Sequence, residues 1–220
     1  MKAQAFRDRR DAGRRLAALL DQERLRRERV VVLGIPRGGL VVAFEVARAL
    51  RAPLDVVCVR PLSTPGEPDL HLGALGEAGE PVVNGELARE AGLTGAALGR
   101  LVAAERAALA AQERRYRVVR PRLPLTGRTA LLVDDGVTTG VSAVAAARGA
   151  RARGPRRVGL AVPVSSPEAL GEVAEEVDEV ACLEQPPLTL ALEEWYEEFP
   201  EVSVEEVVEL LAQAARWPWT

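Results

Sequence analysis

The sequence predicts a doubly wound α/β domain, with a Rossmann-like central parallel sheet of about five strands and helices on both faces. Three observations predict it. Short apolar runs, "VVVLGI" at 30–35 and "TALLVD" at 129–134 among them, lack the polar alternation of a half-exposed strand and suit a parallel sheet covered on both sides. Longer stretches of helical periodicity separate these runs. The chain has 220 residues, 48% of them hydrophobic, enough for one substantial core. We therefore expect a single domain over residues 1–220, with a core at about 25–185 and a small hood at about 185–220.

Taken in order, residues 6–28 read as an amphipathic helix, with Phe6, Leu16, Ala17 and Leu20 on one face among arginines. The strand at 30–35 leads through the turn "PRGG" into an apolar helix, 40–50. A second strand, "LDVVCVR" at 54–60, precedes a Gly- and Pro-rich stretch, 61–84, that reads as a mobile loop with a short hairpin. Residues 94–116, dense in Ala, Leu, Glu and Arg, form a helix opened by a threonine cap at Thr94. Strands at 129–134, 157–164 and 178–184 then alternate with helices at 141–154 and 167–176. The tail carries an aromatic, acidic segment, "LEEWYEEFPEV", and an acidic helix at 203–215.

Composition narrows the function. Lys2 is the one lysine, against 28 arginines. Residues 1–157 carry 28 basic and 17 acidic side chains, whereas 158–215 carry no basic residue and 15 acidic ones, so an anionic ligand is drawn to the first part. The net charge of −3 and the 4% aromatic content argue against nucleic acid. No apolar run reaches the length of a membrane span and "MKAQAFRDRRD" has no signal-peptide core, so a cytoplasmic protein without a membrane partner is expected. Cys58 and Cys182 sit in apolar runs and read as reduced core residues. With His71 the one histidine, a structural zinc site is not expected.

The chemistry is concentrated in "LLVDDGVTTGVS", 131–142. Gly136 and Gly140 permit a tight backbone with converging amides, Thr138 and Thr139 add hydroxyls, and the following helix contributes its N-terminal dipole. This suits a phosphate, and without a lysine it is no Walker loop. Asp134 and Asp135 would repel that phosphate unless they accept hydrogen bonds from a vicinal diol, directly or with a divalent cation nearby. A phosphate and a diol on one strand-loop-helix unit describe a ribose 5-phosphate. Taken alone, Asp-Asp-Gly reads as a turn; the whole string is more specific. The turn "GIPRGG" offers the Arg37 guanidinium and open amides to a second polyanion, although Gly38 and Gly39 alone also suit tight strand-helix packing.

On these residues the chain resembles the type I phosphoribosyltransferases. "ALLVDDGVTTG" is similar to that family's signature for 5-phosphoribosyl 1-diphosphate (PRPP), and "LGIPRGGL" to its pyrophosphate loop; the resemblance covers roughly residues 25–185. It implies Asp134 and Asp135 on the ribose hydroxyls, with catalytic roles for both and for Arg37. Gly136, Val137, Thr138, Thr139, Gly140 and Ser142 would hold the 5-phosphate. Arg37, Gly38 and Gly39 would hold the pyrophosphate and its Mg²⁺, to which the two aspartates could also contribute. It further implies a cis peptide from Pro36 to Arg37 and a 61–84 loop that closes over the site. A homodimer is expected.

Relatives often carry a lysine where this chain has Arg60-Pro61, so a guanidinium would hold pyrophosphate there. His71 matches no catalytic pattern and reads as an exposed loop residue. Two roles are open to Trp195 and Tyr196: stacking on a flat base, or filling a small core between tail and sheet. The implied reaction is attack of a purine, pyrimidine or related base on the anomeric carbon of PRPP, with Mg²⁺-pyrophosphate leaving. A PRPP-responsive regulator with little turnover is the alternative.

Overall fold

The computed structural model describes residues 5–64, 66–77, 79–187 and 191–219, with 67–71 given by their backbone. Five strands form the expected parallel sheet: β1 (Val31–Gly34), β2 (Leu54–Val56), and, beyond an antiparallel insertion, three more that we number β6 (Thr129–Val133), β7 (Arg157–Val164) and β8 (Glu179–Glu184). Their order is β2-β1-β6-β7-β8. Helices α3 (Gly38–Leu50), α6 (Val141–Arg151) and α7 (Pro167–Ala174) are the crossovers that parallel pairing requires. One face of the sheet is closed by side chains such as Leu40, Leu50, Tyr116 and Leu211, the other by Val144, Ala146, Leu160 and Val173. The C-terminal helix α8 (Val204–Ala214), capped by Ser203, belongs to the first face.

Four expectations change. The N-terminal helix is two, α1 (Arg9–Leu19) and α2 (Gln22–Arg27). Leu20 is extended, at φ −77° and ψ 142°, and the Asp21 carboxylate accepts from the Arg24 amide at 3.0 Å to start the second helix. Phe6 lies before α1 and bridges to Tyr196. The run 54–60 also divides: β2 ends at Val56, and Val59–Thr64 becomes β3 of a separate sheet with β4 (Glu67–Gly76) and β5 (Pro81–Val83), ordered β3-β4-β5. Pro61 has no amide to give a central ladder, and β3 is an edge strand. The 61–84 stretch is thus largely an antiparallel meander rather than a loop. The threonine cap is not used either. Asn84 caps a short helix α4 (Gly85–Glu90), and α5 (Ala96–Arg117) begins after Gly95 at φ +52°.

A buried ionic cluster ties these parts together. Asp55 in β2 is fully enclosed and accepts from Arg117 Nη1 at 2.5 Å, Arg153 Nη2 at 2.9 Å and the Leu123 amide at 3.1 Å. Removing the carboxylate leaves the largely buried Arg153 guanidinium without a carboxylate and Arg117 with only Glu77 and Glu113, at 3.4 and 3.3 Å. Asp55→Ala is expected to lose about 3–5 kcal/mol of stability in urea unfolding, and Asp55→Asn less, because the amide still accepts. Equal midpoints for all three chains would show that the cluster is not stabilising.

Candidate active site

The two motifs leave the sheet side by side. Gly34 at the end of β1 pairs in register with Val133 at the end of β6, and the Ile35 amide donates to the Val133 carbonyl at 2.9 Å. Pro36–Gly39 and Asp134–Asp135 therefore emerge at the same, carboxyl, edge of the sheet, where open α/β sheets bind ligands. The Pro36–Arg37 peptide is cis, as expected. Gly38 and Gly39 open α3, and the acidic pair is pressed against them. A Cβ on Gly38 would lie 2.0 Å from Asp135 Oδ2, and one on Gly39 2.4 Å from Asp134 Oδ1. Close packing does explain these glycines, and what packs there is the carboxylate pair.

The two aspartates are held differently. Asp135 is 9% exposed, and Arg9 Nε from α1 donates to its Oδ2 at 2.7 Å. Arg9 is itself fixed by the Pro200 carbonyl at 2.7 Å and by the Phe199 ring, whose centroid is 3.6 Å from the guanidinium carbon. Asp134 has no such partner: its Oδ1 accepts from the Asp135 amide at 2.9 Å. Burial and then the neighbouring Asp135 charge push its pKa well above the usual carboxylate range. The N-terminal dipole of α3 favours both charges.

Asp134, Gly136, Val137, Thr138, Thr139, Gly140 and Ser142 line a hollow of about 90 Å³. Gly140, at φ +78°, caps α6 in the left-handed region, and the first amides of that helix have no intrahelical acceptor. The Val137 amide donates to the Val164 carbonyl at 2.9 Å, anchoring the loop to β7. At the other motif lies a larger cavity of about 480 Å³, lined by Pro36, Arg37, Arg60, Pro61, Gln112 and Arg115 among others. Arg37 and Arg60, far apart in sequence, share this space although Arg60 belongs to β3. Arg37 Nη2 is 2.5 Å from Glu201 Oε1, and Arg60 Nη2 is 2.9 Å from Glu105 Oε2.

Tyr196 takes the second of the two roles open to it. It is 2% exposed, its ring packs against Phe6 and Phe199 with centroids 5.3 and 4.8 Å away, and its hydroxyl donates to the Asp135 carbonyl at 2.5 Å. An enclosed ring has no face left for a base. Trp195 is half-buried at the margin of the same cluster. The His71 side chain lies outside the described residues. Arg9 and Glu201 were not legible as site residues: each meets its partner from more than a hundred positions away, and Arg9 stands among helical arginines of identical type.

A family model described as the phosphoribosyl transferase domain matches residues 4–198. The chain belongs to this family. Two curated Mycobacterium tuberculosis relatives, each bearing the name "Putative phosphoribosyl transferase", are 46% identical over 211 residues, 96% of this chain and 47% of theirs. The chain thus spans about half the length of these relatives. The crystal structure of TT1426 from Thermus thermophilus is 45% identical, with a TM-score of 0.77 over 96% of this chain and 98% of its own. A hypothetical protein from Neisseria gonorrhoeae, solved with bound ppGpp, shares the fold at 17% identity and a TM-score of 0.51, covering 98% of this chain and 99% of its own.

Within this phosphoribosyl transferase domain the strained acid is Asp134. A carboxyl whose folded pKa is raised holds its proton more tightly when folded, so its contribution to stability falls as pH rises from the ordinary aspartate range through the raised value. At neutral pH the ligand-free Asp134→Asn variant is expected to melt above the parent, by about 2–4 °C for each kcal/mol relieved. The gap should close as pH falls into the ordinary aspartate range. Thermal scans from the ordinary aspartate range up to neutral pH provide the check, and superimposable curves would contradict it.

Proposed function

We propose that the chain binds Mg²⁺-PRPP across these two loops and transfers its 5-phosphoribosyl group to a nitrogenous base, releasing pyrophosphate. The observation that carries this reading is the close fit of the acidic pair onto the first turn of α3. It would put a diol acceptor at the edge of the sheet whose two loops line the hollow and the arginine-lined cavity. The hollow, with Thr138, Thr139, Ser142 and the amides of Gly136 and of Thr138 to Gly140, receives the 5-phosphate. Arg37, Arg60 and the α3 amides receive the pyrophosphate. Asp134 accepts from a ribose hydroxyl, and Asp135 is kept in place by Arg9.

Among the described residues no group of three or more His, Cys, Asp and Glu side chains could hold a metal ion. One or two carboxylates completed by substrate phosphates is a donor set that suits Mg²⁺, and Asp134 with Asp135 fits that description. When bound with PRPP, the cation neutralises the charge growing on the leaving pyrophosphate. The C1–O bond to pyrophosphate breaks as the C1–N bond to the base forms, and the sugar between them carries oxocarbenium character. The protein's part is placement: fixed donors at the leaving group and carboxylates beside a developing cation. The acceptor is a base of unassigned identity, and Trp195 is the aromatic available to stack on it.

Pyrophosphate release from Mg²⁺-PRPP with a panel of purines, pyrimidines and related bases tests the reaction. Binding of PRPP without release for any base would favour the regulator instead. Binding tests the site itself. Arg37→Ala is expected to weaken PRPP and pyrophosphate roughly tenfold to a hundredfold while sparing ribose 5-phosphate. Thr139→Val should weaken ribose 5-phosphate and PRPP alike. If both variants bound all three ligands like the parent, the loops would be structural turns and the reading would fall.

A further inference from the structure

A second basic pocket lies at the other end of the sheet. Arg26 and Arg29 precede β1, Arg51 and Pro53 precede β2, and Arg128 precedes β6; with Trp219 from the C-terminus they line a cavity of about 320 Å³. That volume is within the range of small-molecule sites. No acidic residue lines it. The nearest in sequence, Glu28, is committed elsewhere, 3.7 Å from Arg24, 3.8 Å from Arg157 and accepting from the Thr129 hydroxyl at 2.9 Å.

The guanidiniums here are differently placed from those of the candidate active site. Arg26 is spent on the end of α3, donating to the Leu50 and Ala49 carbonyls at 2.8 and 2.9 Å. Arg29, Arg51 and Arg128 have no ion-pair partner among the described residues. Arg29 and Arg51 sit at φ +54° and +52°, in the left-handed region, where a side chain costs about 1 kcal/mol or more that glycine avoids. An independent observation concerns the wall. Trp219 packs at a tilt against Trp217, and Trp217 against Phe44 of α3, with centroids 5.5 and 5.0 Å apart. The Trp219 indole nitrogen is enclosed with no acceptor among the described residues.

We propose that this pocket binds a small polyphosphate anion, at a site separate from the PRPP loops on the opposite edge of the same strands. Three unpaired guanidiniums around one concave space exceed what a single carboxylate or monoanion neutralises. Their planar forks match successive phosphate groups, to which each can donate in pairs. Trp219 lines the same space, so an anion bound there changes the surroundings of its indole. The inference does not depend on the reaction proposed above, because no residue is shared with that site.

Inorganic triphosphate is the probe, titrated calorimetrically into the whole chain at low ionic strength. Two binding events per chain are expected. One should vanish in Arg37→Ala and the other in Arg51→Asn/Arg128→Gln, in which asparagine tolerates the left-handed backbone. That double variant should bind triphosphate at least tenfold more weakly at this site and keep its affinity for Mg²⁺-PRPP within about twofold, since a factor of ten is 1.4 kcal/mol. In Arg37→Ala, triphosphate should also shift the indole ¹H–¹⁵N signal of Trp219, assigned by its loss in Trp219→Phe. The proposal is overturned if Arg37→Ala binds no triphosphate, or if its remaining binding is unchanged by the double substitution or leaves the Trp219 signal in place.

Discussion

The contact between the acidic pair and the first turn of α3 is the constraint around which this chain is arranged. Two carboxylates approach a helix start so closely that Gly38 and Gly39 leave no room for a Cβ. Like charges at that spacing need compensation, which comes from three directions. The helix dipole of α3 supplies part, and the Asp135 amide supplies part to Asp134. The rest is Arg9, and Arg9 fixes far more than one carboxylate. Its second bond, to the Pro200 carbonyl, ties α1 to the C-terminal segment. Tyr196 repeats that tie through the Asp135 carbonyl. The two ends of the chain are thus joined over the site by groups whose common anchor is Asp135.

This arrangement divides the labour between neighbours of identical chemistry. Asp135 is neutralised and rigid, so its carboxylate is a fixed part of the frame. Asp134 keeps its burial without a cation, and its raised pKa is the signature of an acid held in an unfavourable place. Such a cost persists when something outside the folded chain relieves it, and a ligand that brings hydroxyl donors or a cation is the natural source. The instability of the empty site and the affinity of the filled one are then two aspects of one charge.

Much of the frame was legible because it is written in local pattern. Apolar runs without alternation gave away β1, β6 and β7, and the glycines and threonines of 136–140 marked the loop that the hollow of about 90 Å³ now surrounds. Reading failed where one residue outweighs a pattern. Asp21 breaks a helix that periodicity carries through, and Pro61 sends half of an apolar run to the edge of another sheet. Long-range pairing was beyond reach for a different reason. Arg9 meets Asp135 across 126 positions, and nothing local separates it from Arg7 or Arg10. Tyr196 could be narrowed to two roles, but choosing needed Phe6 and Phe199 in place around it.

The division of charge along the sequence, basic before residue 158 and acidic after it, dissolves on folding into pairs that cross it: Arg24 with Glu179, Arg37 with Glu201, Arg115 with Glu205, Arg148 with Glu176. Net charge by segment therefore says little about where an anion goes. What matters is how easily a guanidinium can change partners. In the cavity of the candidate site, Arg37 and Arg115 are held by glutamates that are 80% and 75% exposed, and exposed pairs are weak and salt-screened. A polyphosphate, multiply charged and better matched to the guanidinium fork, can replace such carboxylates at small cost. Glu201 and Glu205 thus stand as placeholders, keeping the arginines extended toward the cavity while it is empty. Asp55 is the opposite case, with the same ion-pair chemistry enclosed at 0% exposure, where no exchange is possible and the pairing serves the fold alone.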